Sequence, residues 1–165
     1  MSSRPRSIWE YNRNYDLLAG LVKNADAKLL SQLQSIEAAK KRTPPIPLAH
    51  LLRLCHLLKK RPPVDKVDAD TFSTYLSRLL GYGIRVPTAI CMVSVVSKGR
   101  YPPMDTRVTD GLLRRNLITG QQAKALRSND PGVFSEVYVG VVLPEWRKLI
   151  RQGIKPSAID RQWSA

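Results

Sequence analysis

The stretch Leu79–Leu112 reads LLGYGIRVPTAICMVSVVSKGRYPPMDTRVTDGL. Gly81-Tyr82-Gly83 interrupts one apolar run, and Pro87 stands near the start of the next, where a missing N–H does no harm in a first helical turn. Ala89, Ile90, Met92, Val93 and Val96 then recur at helical spacing as far as Lys98-Gly99. A short loop, Arg100 to Asp105, contains Pro102 and Pro103 and leads into a further run from Thr106 to Leu117. The order is helix, glycine turn, helix, loop, helix.

The same period extends outward. Upstream, Asp68 or Asp70 can cap a helix through Phe72, Tyr75, Leu76, Leu79 and Leu80. The segment from Pro47 to Arg61 is leucine-rich and closes on Lys59-Lys60-Arg61, cations that suit a helix C-terminus. Tyr15 to Lys41 carries leucines three and four apart, with a break near Asn24. Downstream, Gln121 to Arg127 reads as a turn or helix, and Asp130 through Ile150 as one long helix holding Tyr138 and Trp146. Within it the β-branched run VYVGVV has strand character, but no comparable partner strand exists to pair with it. The expected fold is all-α, a compact helical domain containing a helix-hairpin-helix element. We expect one domain over 1–165, with a basic arm at 1–14 and the hairpin and Asp loop at 70–117. No internal repeat or low-complexity tract is present.

Charge narrows the partner. Among 165 residues, 27 Lys and Arg face 13 Asp and Glu, a net of +14. A field of that sign concentrates polyanions, which makes double-stranded DNA, held by its backbone, the leading candidate. Residues 1–61 hold 12 basic and 4 acidic residues, so the N-terminal third dominates the field. Lys40, Lys41 and Arg42 are its densest cluster and candidate phosphate ligands; a solvated face is the plainer reading of such a run. No apolar run approaches the roughly 20 residues of a spanning helix, and no apolar signal core opens the chain, so the expected compartment is the cytoplasm. Cys55 and Cys91 sit among apolar neighbours and read as buried small hydrophobes. His50 and His56 lie six apart, off the spacing of a paired metal site, and neither a metal nor a cofactor is expected. No Walker loop, dinucleotide fingerprint or nucleophile elbow occurs.

The hairpin segment resembles the helix-hairpin-helix DNA glycosylases of base excision repair. Thr88-Ala89 on the second helix, followed 16 residues after Ala89 by Asp105-Thr106-Arg107-Val108, keeps that family's order and interval. The resemblance covers about 35 residues and implies that Asp105 is the carboxylate that stabilises an oxocarbenium-like sugar cation as a flipped base leaves. Bifunctional members carry a lysine directly before Thr-Ala; Pro87 stands there in this chain, which implies a monofunctional enzyme using water or a scaffold that only binds. Four residues, Ile84 to Pro87, separate Gly83 from Thr88 where the family has two. Too few cysteines are present for an iron–sulfur cluster.

Glycines in such a turn let helix ends approach and leave N–H groups outward for a phosphate. On that basis the expected nucleic-acid contacts are Gly81, Tyr82, Gly83, Arg85, Thr88, Lys98, Arg100 and Arg107, with Tyr82, Arg85 and Tyr101 able to stack on an unpaired base. The plainer reading of Asp105 is a helix N-cap, and that of Tyr101 a packing lid. Two other functions remain open: a non-enzymatic basic adaptor binding nucleic acid or a protein partner, and membrane-surface binding through the basic helix at 47–61.

Overall fold

The computed structural model describes residues 29–36 and 46–165. Every regular element among them is helical, and no described residue is in a strand. The chain divides into two compact units, 1–61 and 62–165. In the first, residues 29–36 are helical with Leu30, Leu33 and Ile36 buried, and α1 (Leu48–Lys59) buries Leu51, Leu54, Cys55 and Leu58 at the expected spacing. The basic arm at 1–14, Tyr15 and the Lys40-Lys41-Arg42 cluster lie outside the described residues.

The second unit is built from α2 (Ala69–Leu80), α3 (Val86–Val96), α4 (Thr106–Arg114), α5 (Gly120–Leu126), α6 (Pro131–Val137), α7 (Leu143–Arg151) and α8 (Pro156–Ser164). Their starts follow from side-chain chemistry. Asp68, Asp105 and Asp130 each accept the N–H three residues on, at 2.7, 2.9 and 3.0 Å, and Thr119 and Gln122 form a reciprocal capping box. The turn between α2 and α3 needs Gly83, whose φ of 82° lies in the left-handed region; Gly81 is ordinary right-handed backbone.

One expected helix is interrupted. Between α6 and α7, residues Tyr138–Val142 form a π turn in which the Leu143 N–H reaches the Tyr138 carbonyl. Pro144 explains it: without an N–H it cannot bond the carbonyl four residues back, and the chain absorbs one extra residue instead. At about 100° per residue, positions 138 and 146 would point about 80° apart on a regular helix. The extra residue brings them to within about 20°. Both side chains then meet the same loop: the Tyr138 hydroxyl donates to the Pro102 carbonyl at 2.6 Å, and the Trp146 indole N–H to Gly99 at 2.8 Å.

The core centres on Phe72, whose ring lies 5.4 Å from Tyr101 and 5.2 Å from Tyr138, with Phe134 stacked 5.0 Å beyond. A second cluster joins Trp146 edge-on to Trp163 at 5.4 Å. It belongs to α8, which packs on α4 and α7. Contact with α4 is backbone to backbone: a Cβ added at Gly111 would sit 1.5 Å from the Trp163 carbonyl oxygen. Gly111→Ala is therefore expected to lift α8 off α4 and destabilise the fold by about 3 kcal/mol or more. Urea melts and the near-ultraviolet signal of the Trp146–Trp163 pair check this; an unchanged midpoint would contradict the close approach.

Candidate nucleic-acid interface and carboxylate cleft

The loop from Ser97 to Asp105 is held from three sides. Ser97 Oγ donates to the Ser94 carbonyl and accepts the Tyr101 N–H at 3.1 Å each, while the Tyr101 hydroxyl donates to Pro62 at 2.6 Å. Pro102-Pro103 offers no N–H of its own, so this segment is fixed by what others donate to its carbonyls. Tyr101 is 1% exposed in the aromatic core, so it is a packing residue and not a surface on which a base stacks.

This loop delivers Asp105 to the head of α4. Oδ1 accepts the Val108 N–H at 2.9 Å, and Oδ2 lies 3.5 Å from Arg107 Nη2. The side chain of Asp105 is 40% exposed and that of Arg107 78%. Capping and accessibility coexist: one oxygen is fixed by the helix and the other faces a solvated guanidinium.

Sequence periodicity did not single out the neighbour on α8. Asp160 is near enough for the Asp105 charge to act on it, and its carboxyl pKa is raised, first by burial and then by Asp105, with Arg107 opposing. It lines a cleft of about 360 Å³ with Ser94, Lys98, Pro103 and Trp146. Two glycines set this approach: Gly111 admits the α8 backbone, and Gly99, at φ 78°, leaves room where a Cβ would meet Pro156 at 2.6 Å. Lys98 itself adopts φ 56°, an uncommon conformation for a residue with a side chain, and stands exposed at the cleft. Signals for α8 were available in Pro156 as a helix start and in Ile159 and Trp163 four apart.

The hairpin departs from expectation. The N–H groups of Gly81, Tyr82 and Gly83 turn back onto carbonyls of α2, at 3.1 to 3.2 Å, and the Val86 N–H is taken by Asn129 Oδ1 at 2.9 Å. These amides close the turn and do not face outward, because α2 ends tightly and α3 starts only after two further residues. What the hairpin presents to solvent is exposed Arg85, with Tyr82 and Thr88 half-buried. Arg100 is exposed as well.

A larger groove of about 880 Å³ between α5 and α6 contains none of the expected site residues, and its Arg127 pairs with Asp110. Among the described residues no group of three His, Cys, Asp or Glu is placed to hold a metal ion, and no helix is long and apolar enough to cross a membrane. Burial pushes the Cys55 thiol up to about 12, which makes it an inert core group.

Asp160 has a consequence for stability. A raised carboxyl pKa favours the fold below the ordinary carboxylate value, and that contribution is lost as pH rises through the raised value. Asp160→Asn should therefore raise Tm at pH 7 and leave it unchanged near pH 3; equal shifts at both pH values in melting curves would contradict the assignment. No protein-family model, no curated protein and no solved structure matches this chain.

Proposed function

We propose that the chain is a DNA-binding protein and a monofunctional DNA N-glycosylase in which Asp105 stabilises the sugar cation. The observation that carries this reading is the restraint on Asp105: a proline-rich loop held by four side-chain hydrogen bonds ends on a carboxylate that still has an accessible oxygen. A carboxylate held in place before reaction needs little reorganisation when positive charge develops opposite it. The net charge of +14, with Arg85, Lys98, Arg100 and Arg107 exposed, supplies backbone attraction independent of base sequence. In the reaction the C1′–N bond breaks with its electron pair leaving on the base, and water adds to C1′. Pro87 has no amine to take the place of water, so the product is an abasic site and not a Schiff base.

The inward hairpin amides and the Val108 N–H capped by Asp105 favour a second reading, a basic helical adaptor that binds nucleic acid or a protein partner without chemistry. The two separate on one substitution, because Asn caps a helix as well as Asp does but carries no charge. With duplexes bearing single damaged or mispaired bases, followed by alkaline strand cleavage, the wild type should incise at least one. Asp105→Asn should lose about 100-fold or more of that rate with duplex affinity retained. Binding by both proteins with incision by neither would overturn the enzymatic reading and favour the adaptor.

A further inference from the structure

We propose that Arg147 and Arg151 of α7 form a site for a phosphate dianion, the group presented by free phosphate, by a small phosphoester or by the 5′ end of a nucleic-acid strand. The site does not depend on Asp105 and stands whether or not the chain cleaves a base. It is a cavity of about 220 Å³ between α7 and the turn at residues 64–66. Val64, Val139 and Leu143 give it apolar walls, and its charged groups are the two arginines and Asp65. Pockets for drug-sized ligands hold roughly 300–1,000 Å³, so this one suits a more compact group.

The helix itself brings the two cations together. Residues four apart stand one turn above another on the same face, about 5–6 Å apart at Cβ, and like charges so placed oppose the helix slightly. Nothing in the chain offsets that cost: among the described residues neither guanidinium takes part in an ion pair or a hydrogen bond, and Asp65, although it lines the same cavity, lies beyond ion-pair distance of both. Arg147 is half-buried, so its charge has given up part of its water without gaining a protein partner. The helix dipole accounts for cations in the last turn, which are Lys148 and Arg151. It does not account for Arg147 and Arg151 lining the cavity while Lys148 stays off it.

The donor set selects the ligand. Each guanidinium presents its N–H donors in a rigid fork that meets two oxygens at once. Two forks need more acceptors than the two oxygens of a carboxylate. A terminal phosphate, with three free oxygens and a charge of about −2, matches two guanidiniums in both acceptors and charge. A backbone diester has two free oxygens and a single charge, enough for one fork. Asp65, exposed at the same cavity, opposes any anion there and lowers the affinity that the arginines give.

The test is calorimetric titration of the full chain with inorganic phosphate at fixed ionic strength in chloride, where the wild type should show one saturable site. Arg147→Gln and Arg151→Gln should each weaken it by about tenfold or more, whereas Lys148→Gln, on the same helix but off the cavity, should change it by less than about twofold. Asp65→Asn should tighten it by about threefold or more, and Glu136→Gln, the same change of net charge placed in the α5–α6 groove, should not. Arg151 and Asp65 are exposed, so their variants keep the test open if Arg147→Gln fails to fold. Duplexes of one sequence with 5′-phosphate or 5′-hydroxyl ends separate the sources. Tighter binding of the phosphorylated duplex, lost in Arg151→Gln, identifies a strand end; equal binding of the two, with the phosphate site intact, identifies free phosphate or a small phosphoester. The absence of a saturable phosphate site, equal weakening by Lys148→Gln and Arg151→Gln, or equal effects of Asp65→Asn and Glu136→Gln would overturn the proposal.

Discussion

Hydrogen bonds from Tyr138 and Trp146 to the carbonyls of Pro102 and Gly99 hold the segment on which the candidate site depends. A loop with two consecutive prolines has few donors and cannot tie itself down, and each buried carbonyl left without a partner would cost about 1–3 kcal/mol. The donors come from one face of a helix pair, and they share that face because Pro144 forces a π turn between them. A single missing N–H at position 144 thus decides which side chains meet the loop that ends on Asp105.

The second constraint is the seating of α8. Gly99 and Gly111 remove two Cβ atoms that would collide with it, and the edge-on Trp146–Trp163 contact fixes its roll. With the helix seated, Asp160 comes within electrostatic reach of Asp105 even though both are acidic and Asp160 gains no donor. Folding alone does not favour that arrangement, since two like charges brought together out of water oppose the fold.

Much of this was legible in the residue order. Apolar spacing located α1 to α4, and Asp105 announced itself as a cap because a short acceptor before a helical run satisfies a first-turn N–H, while Asp68 and Asp70 were equal candidates until the structure placed Asp68 at the cap. Periodicity could not show the π turn, because the apolar pattern runs through it unbroken; only Pro144 hinted at an interruption. It also could not separate a buried Tyr101 from an exposed one, since burial depends on Phe72 and Tyr138 arriving from distant positions. The hairpin glycines suggested outward amides, but the distance from Gly83 to the start of α3 lets the turn close on itself. Asp160 was invisible for a tertiary reason. Nothing in residues 156–164 relates them to Asp105 until α8 is packed on α4, although Gly111 inside a helical run was a sign that some backbone comes close there.

Charge has two roles in this account. The excess over the whole chain attracts any polyanion and fixes no position, whereas Asp105 places negative charge at one point within that positive field. Negative charge at that point would weaken DNA binding unless positive charge develops on the substrate beside it. The most direct measurement compares affinity for two duplexes, one carrying a pyrrolidine in place of the sugar, cationic like the transition state, and one carrying its neutral tetrahydrofuran counterpart. The account predicts binding of the cationic duplex at least about tenfold tighter by the wild type, with that preference lost in Asp105→Asn. Equal affinity of the wild type for both duplexes would contradict it.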